Sequence, residues 1–163
     1  MLSSRVLYND VSGGNCGGIA VLRCESGIIK DSNISFNSAL SGPLSKNEAN
    51  GGGLCLELSG QVLVEGSSFE GNDASNQGGA VQLIQATNIS VRQCSFLANQ
   101  ATNGGSMSIK ESLLVNINDT LLADNIASNN GGGIIVENSV SVNIHESRFV
   151  RSQTTRGFGS SIW

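Results

Sequence analysis

Hydrophobic residues in this chain alternate with polar residues over short stretches, and these stretches recur at a nearly constant interval. Each copy is counted from the apolar residue that follows a Gly-Gly pair by one or two places. These starting residues are Ile19, Leu54, Val81, Met107 and Ile134, which are 35, 27, 26 and 27 residues apart. The inward positions fall at offsets 0 and 2, 8 and 10, and 13 and 15 from each start. A period of two predicts β-strands with one buried face.

Three short strands per 26 or 27 residues, separated by Gly and Asn, predict a triangular coil and argue against helices. Coils with matching inward positions stack in parallel, with neighbouring backbones about 4.8 Å apart. We therefore predict an all-β fold, a right-handed parallel β-helix (a solenoid) of about five to six coils with 26–27 residues each. One inward column, at offset 15, contains Ile34, Phe69, Phe96, Leu122 and Phe149.

The repeat predicts one domain, residues 1–163, with a single interruption. The interval of 35 residues indicates an inserted turn loop at residues 40–50, which contains the only proline, Pro43. Turns tolerate insertions because they project away from the stack. Residues 4–11 match the second half of a coil and residues 159–163 match the opening of another. We therefore expect this chain to be a segment of a longer protein.

Two polar columns accompany the hydrophobic ones. A column of glycines, two places before each starting residue, is predicted to turn the chain, either through positive φ or because no Cβ fits there. Its members are Gly17, Gly52, Gly79, Gly105, Gly132 and Gly159. Eighteen places after the starting residues stand Asn37, Asn72, Asn99 and Asn125. Amides both donate and accept, so this column is predicted to form a hydrogen-bonded ladder along the axis.

The alternating motifs GGA[ILV] and FxxN resemble the repeats of the polymorphic outer membrane proteins of chlamydiae. GGAV at 78–81, FEGN at 69–72 and FLAN at 96–99 match these motifs, GGGL, GGSM, GGGI, ISFN and LADN are degenerate copies, and FVRS at 149–152 lacks the asparagine. The resemblance, which spans most of the chain, implies a pectin-lyase-like right-handed β-helix in an extracellular, adhesive region. Pectin-degrading enzymes share that fold, so the fold alone does not assign a function.

Composition argues against several classes of partner. The net charge is −4 and the pI is about 4.8, which disfavours nucleic acid and anionic membrane surfaces. The chain contains no run of eighteen apolar residues, so no membrane-spanning helix is predicted. We expect no metal and no cofactor.

The best candidate for chemistry is a patch of charged residues that the repeat brings onto adjacent coils. Offsets 11 and 12 supply Arg92, Asp119, His145 and Glu146. Carboxylates beside Arg or His on the outside of a coil are what a polysaccharide lyase or hydrolase would need. Charged groups belong on an exposed face in any case, and two carboxylates with one His are few, so an ordinary solvated face is the favoured interpretation and catalysis the minor one.

The four cysteines lack the spacing of a zinc site. Cys94 falls in the small inward column at offset 13 and is predicted to be a buried free thiol. A bridge between Cys16 and Cys24 is disfavoured because they are eight residues apart in an extended segment, whereas a disulfide needs Cα atoms within about 7 Å. The pairing of Cys55 stays open.

Three N-glycosylation sequons begin at Asn33, Asn88 and Asn118, and the repeat places all three asparagines outward. They are candidate acceptors if the chain passes through a eukaryotic secretory pathway.

Together these features favour a non-enzymatic, extracellular structural or adhesive segment of a larger surface or secreted protein. Its expected partners are other segments or neighbouring subunits that cap the coil ends, and cell-surface ligands such as glycans. One alternative is a carbohydrate-active enzyme, and another is a repetitive surface for self-assembly or ice. The outward column at offset 1 is mixed, which disfavours an ice-binding array; it contains Ala20, Cys55, Gln82, Ser108 and Ile135.

Overall fold

The computed structural model describes residues 4–42 and 49–163, so most of the predicted insertion, residues 43–48, lies outside the described residues. The described residues form 22 short β-strands and no helix, hence no helix in these ranges is long and apolar enough to cross a membrane. The strands are numbered in chain order and belong to four parallel sheets. This confirms the all-β solenoid with stacked parallel strands.

The strands of each sheet come from equivalent positions of successive coils. Sheet 1 contains β3 (Ile19–Leu22), β7 (Leu54–Glu57), β11 (Val81–Ile84), β15 (Met107–Lys110) and β19 (Ile134–Glu137). Sheet 2 contains β4 (Ser26–Lys30), β8 (Gln61–Glu65), β12 (Ile89–Arg92), β16 (Leu114–Asn118) and β20 (Ser141–His145). Sheet 3 contains β1 (Arg5–Leu7), β5 (Asn33–Ser35), β9 (Ser68–Glu70), β13 (Ser95–Leu97), β17 (Leu121–Ala123) and β21 (Arg148–Val150). Sheet 4 contains β2 (Asp10–Ser12), β6 (Ser38–Leu40), β10 (Asp73–Gln77), β14 (Gln100–Asn103), β18 (Ile126–Ala127) and β22 (Gln153–Thr154).

Each full coil therefore has four strands, and the prediction of three was wrong. The fourth strand is short and buries one small residue per coil. These residues are Ala39, Ala74, Ala101 and Ala127. A strand with a single inward residue shows no alternation along the chain, so the period-two pattern could not reveal it.

The core is built from residues that stack on their equivalents in the next coil. Phe69 pairs in register with Phe96, and Phe96 with Leu122, on sheet 3. The two phenylalanine rings lie 4.8 Å apart, nearly parallel at 6°, and both are fully buried. Repetition of such contacts along the axis gives a continuous hydrophobic column.

The chain turns between sheets through single residues with positive φ. After sheet 1 these are Arg23, Leu58, Gln85, Glu111 and Asn138. After sheet 2 they are Asp31, Gly66, Gln93, Asp119 and Glu146. After sheet 3 they are Tyr8, Phe36, Gly71, Ala98, Asp124 and Arg151. Before sheet 1 they are Cys16, Gly51, Gly78, Gly104, Gly131 and Gly159.

The predicted glycine column is needed for space, not for positive φ. A Cβ on Gly52, Gly79, Gly105 or Gly132 would overlap carbonyl oxygens of the neighbouring coil, and at Gly17 it would lie 2.5 Å from the Gly52 oxygen. Gly159 belongs one column earlier than predicted. Its carbonyl accepts from the Gly132 N–H, just as that of Gly131 accepts from Gly105, and its φ is +66°. The last coil, from Gly131 to Gly159, is thus one residue longer than the coil from Gly104 to Gly131.

Buried amides form a ladder beside the corner that follows sheet 3. The Asn99 Oδ1 accepts from the N–H and Nδ2 of Asn72, at 3.0 Å each. The Asn99 Nδ2 donates to Asn125 Oδ1 and to the Phe69 carbonyl, both at 3.0 Å. Asn37 and Asn72 bond in the same way, and Asn9 extends the column by one coil. The amides therefore satisfy backbone groups that the turn removes from the sheets.

We predict that Asn99→Ala destabilises the fold by at least about 2 kcal/mol, because it leaves the buried N–H groups of Asn72 without their acceptor. The measurement is the free energy of unfolding from urea denaturation. The matched control is Asn143→Ala, since Asn143 is exposed and bonds only on the surface; its expected effect is within about 0.5 kcal/mol. Equal effects of the two substitutions would contradict the ladder's role.

We predict that alanine is destabilising at Gly79 and tolerated at Gly27. Gly79→Ala should destabilise the fold by about 1–3 kcal/mol or more, because the added Cβ overlaps the backbone of the next coil. Gly27→Ala should be neutral or stabilising, because its Cβ would meet the nearest atoms at 3.6 Å and 3.8 Å. Thermal unfolding of both variants measures the difference, and a tolerated alanine at position 79 would refute this explanation of the column.

Candidate functional site

A shallow groove runs along the axis at the corner between sheets 2 and 3. Its cavity volume is about 430 Å³. Along one side stand the corner residues Gln93, Asp119 and Glu146, whose positive φ directs them out of the sheets. The other side is formed by the outward residues of sheet 3, which are Ser68, Ser95, Leu121 and Arg148. The groove is therefore a candidate site for binding or chemistry on the described surface.

The structure brings the four predicted patch residues to this corner. Arg92, Asn118 and His145 are register partners at the ends of β12, β16 and β20. Asp119 and Glu146 follow on adjacent coils, and all four predicted residues are exposed. The placement agrees with the spacing in the sequence, although exposure alone does not make a catalytic site.

The patch residues form separate pairs instead of converging on one point. Arg92 lies 3.2 Å from Glu65, which also contacts Lys30 at 3.0 Å. The hydrogen bond from Lys30, followed by the positive charge of Arg92, lowers the pKa of Glu65. The opposing effect of desolvation is smaller than these contributions together. The Arg92 guanidinium is thus engaged by a carboxylate outside the predicted patch.

The remaining members make weaker surface contacts. His145 Nε2 lies 3.3 Å from Glu146 Oε1, with both side chains more than 70% exposed. Asp119 accepts a long hydrogen bond of 3.5 Å from Gln93 Nε2. Within residues 4–42 and 49–163, no group of three or more His, Cys, Asp or Glu side chains could hold a metal ion. This arrangement can bind polar ligands but lacks a buried acid or base.

The comparison with protein families agrees with this architecture. Residues 3–149 match the family described as right handed beta helix region. The chain belongs to the right-handed β-helix family. No curated protein and no solved structure matches it. The family contains both enzymes and non-enzymes, so the role of this β-helix has to be argued from its own residues.

The floor of the groove is a ladder of small polar residues that the β-helix uses for stacking. Thr120 Oγ1 donates to the Asn118 carbonyl at 2.9 Å and accepts from the Cys94 N–H at 3.5 Å. Ser67 and Ser147 make equivalent bonds to carbonyls two residues earlier. These hydroxyls are thus hydrogen-bonded to the backbone of the stack.

Cys94 occupies the same ladder and is buried, as the sequence predicted. Its Sγ lies 3.2 Å from the Arg92 carbonyl. Burial raises the pKa of this thiol, despite backbone hydrogen bonds from Ser67 and others that lower it. A protonated, enclosed thiol is a packing residue and not a reactive one.

Sequence reasoning missed a disulfide between Cys16 and Cys55, whose Cα atoms are 5.6 Å apart. The spacing along the chain tested only a bridge between Cys16 and Cys24, and Cys24 is a free thiol. Cys16 takes the corner position that later coils fill with glycine, and Cys55 stands at offset 1 of the next coil. A Cβ added at Gly51, in the same corner column, would overlap the Cys55 sulfur. Proximity of that corner to the offset 1 column is the signal that could have revealed the pair.

The offset 1 column is not the outward surface that the pattern predicted. Cys55, Gln82, Ser108 and Ile135 are all buried, and only Ala20 is exposed. The segment before each corner glycine covers this side of sheet 1. For example, the Ser108 hydroxyl donates to Gln77 Oε1 at 3.0 Å, and a Cβ on Gly104 would lie 2.8 Å from Ile135. At this column, sheet 1 is therefore buried on both faces from β7 to β19.

The three sequon asparagines also differ in exposure. Asn88 is exposed on the turn before β12, whereas Asn33 and Asn118 are half-buried within β5 and β16.

We predict that the Cys16–Cys55 bridge stabilises the β-helix by about 2–4 kcal/mol, because it closes a long loop in the unfolded chain. The double variant Cys16→Ser/Cys55→Ser should lose that amount in urea denaturation. Cys24→Ser is the matched control and should change little. Dithiothreitol should lower the midpoint of the wild type and leave that of the double variant unchanged; an unaffected wild type would contradict the prediction.

Proposed function

We propose that this β-helix is a non-enzymatic extracellular segment of a larger surface or secreted protein, which acts as a rigid spacer or adhesive surface. The observation that carries the proposal is the use of polar side chains at the corners. Amides and hydroxyls that could serve chemistry are hydrogen-bonded to the neighbouring coil instead. Such a stack favours stiffness along the axis and leaves the exposed residues free to vary.

The repeat motifs support the same assignment. Val81 of GGAV and Phe96 of FLAN fill the core, and Asn99 belongs to the amide ladder. The motifs that resemble polymorphic outer membrane protein repeats thus have structural roles in this chain. We propose that this resemblance extends to an adhesive role at a cell surface, with glycans or other surface ligands as partners.

The disulfide supports an extracellular location. Structural disulfides persist in oxidising compartments and are rare in the cytosol. The Cys16–Cys55 bridge joins consecutive coils on either side of the insertion, where it would restrain the longest turn of the chain.

The partial burial of core residues at both ends of the stack supports the proposal that partners continue it. Core residues of the terminal coils, among them Val21, Ile29, Val136 and Ile144, are only partly buried. We propose that further segments of the same protein or neighbouring subunits cover them, because such residues stack on equivalent residues elsewhere in the fold.

The alternative is a carbohydrate-active enzyme that binds sugar in the groove between sheets 2 and 3. Asp119 and Glu146 on adjacent coils, with Arg148 opposite, favour it. However, glycoside hydrolysis uses one carboxyl group that is held protonated by its surroundings. Asp119 and Glu146 are instead both exposed to solvent. A repetitive surface for self-assembly is favoured less, since the regular offset 1 column is buried.

We expect no cleavage when the protein is incubated with uronate-containing and neutral polysaccharides. The measurements are reducing ends, for hydrolysis, and absorbance of unsaturated uronates, for lyase activity. Asp119→Ala and Glu146→Gln variants test any activity that is seen, with Asn143→Ala as a surface control. Cleavage that Asp119→Ala abolishes and Asn143→Ala preserves would overturn the non-enzymatic proposal.

A further inference from the structure

The sequon at Asn88 differs from the other two in its backbone. Asn88 has a φ of 58°, although it does not lie at one of the four regular corners of the coil. The equivalent residues of the neighbouring coils, Gln61 and Leu114, are the first residues of their strands. At Asn88 the chain instead remains in a turn, which also contains Ala86 and Thr87.

Strand pairing begins one residue late in this coil as a result. The register of β12 starts with Ile89, which pairs with Val62 on one side and Val115 on the other. In contrast, Gln61 pairs with Ser26, and Leu114 pairs with Ser141. Asn88 is therefore outside sheet 2 with respect to both adjacent coils.

The same coil lacks the hydroxyl that Ser59, Ser112 and Ser139 supply at this corner, where the first coil has Cys24. Ser59 and Ser112 donate to carbonyls two residues earlier, whereas the equivalent residue here is Ala86. The missing side-chain bond coincides with the turn that moves Asn88 out of the strand.

The side chains that a glycosyltransferase must reach are free only at this sequon. Asn88 is exposed and Ser90 is half-buried, and neither side chain has a hydrogen-bond partner among the described residues. At the sequon of Asn33, Ser35 is 1% exposed and its hydroxyl bonds to Asn33 Oδ1. At the sequon of Asn118, Thr120 is 2% exposed and its hydroxyl belongs to the ladder under the groove.

We propose that Asn88 is the acceptor of an N-linked glycan, while Asn33 and Asn118 remain largely unmodified. The inference rests on the proposed extracellular location, with a secretory route that supplies a lipid diphosphate oligosaccharide. In the transfer, Asn88 Nδ2 forms a bond to the anomeric carbon of the sugar and loses one proton. The bond from that carbon to the phosphate oxygen breaks, and the lipid diphosphate leaves.

A second feature suits a glycan at this position. Asn88 and Thr87 border a shallow groove that also contains Leu58 and Gln61. Leu58 is 41% exposed, so the first sugar residues can cover an apolar side chain there. The glycan would thus extend over the outer side of sheet 2 without disturbing the stack.

The test is expression of residues 1–163 with a secretion signal in a glycosylating eukaryotic host. Peptide mass spectrometry after enzymatic deglycosylation in heavy-oxygen water reads the occupancy of each asparagine. We expect Asn88 to be occupied at least about fivefold more than Asn33 or Asn118. Asn88→Gln and Ser90→Ala should each remove the glycan, and Ser90→Thr should retain it. Two substitutions at different positions guard against a variant that fails to fold.

A matched control moves the sequon to the paired position of the neighbouring coil. Gln61→Asn/Leu63→Thr, in an Asn88→Gln background, creates a sequon within β8; we expect little occupancy there. Occupancy at position 61 equal to that at Asn88, higher occupancy at Asn33 or Asn118, or an unmodified Asn88 would each overturn the inference. Polysaccharide cleavage would refute the proposed function and leave this mapping unaffected.

Discussion

The structure depends on keeping every backbone polar group satisfied where the chain turns from one sheet to the next. Parallel coils bond to each other readily along strands, but a residue with positive φ interrupts that pattern. Each corner has a column of side chains that compensates. Asn99 and its equivalents serve the corner after sheet 3, Thr120 and its equivalents the corner after sheet 2, and Ser112 that after sheet 1. Asn50 and Asn103 accept backbone and side-chain N–H groups before sheet 1. A buried group left without a partner costs about 1–3 kcal/mol, so these columns set the limits on sequence change.

This constraint determines where chemistry can lie. The side chains that follow a corner hydrogen-bond to the adjoining coil, and inward residues fill the core. Variation remains for outward strand residues and for corner residues such as Asp119 and Glu146, whose side chains project into solvent. Asp119 contacts Gln93 on the adjacent coil, whereas Glu146 contacts its chain neighbour His145. The bidentate contact of Arg151 with Asp124, at 2.6 and 2.7 Å, is a further example on another corner. Such exposed pairs contribute little to stability and leave their side chains accessible to a ligand.

The part of the fold that could be predicted from the sequence is the part with a visible period. The inward columns through Phe69 and Phe96, the coil length and the position of the Asn99 ladder follow from spacing alone. The fourth strand of the coil could not be predicted in this way, because Ala101 is the only inward residue of β14 and a single position shows no alternation. The second amide column, with Asn50 and Asn103, lay among other asparagines and glycines in the turns. The disulfide and the burial of Ser108 depend on how the chain passes around the corner before sheet 1, which spacing does not specify. For the patch around Asp119, spacing predicted its neighbours but not their contacts.

The most specific features of this β-helix occur where a column is broken. Cys16 replaces a corner glycine and forms a covalent bond to the next coil, which compensates for a side chain in a conformation that favours glycine. Ala86 replaces a ladder serine, and the turn after it leaves Asn88 outside the sheet. A residue that conforms to its column is explained by the stack, whereas a residue that departs from it needs a different stabilising interaction or a different role. Because the buried columns all have structural roles, specific function is most reasonably sought at exposed residues and at these departures.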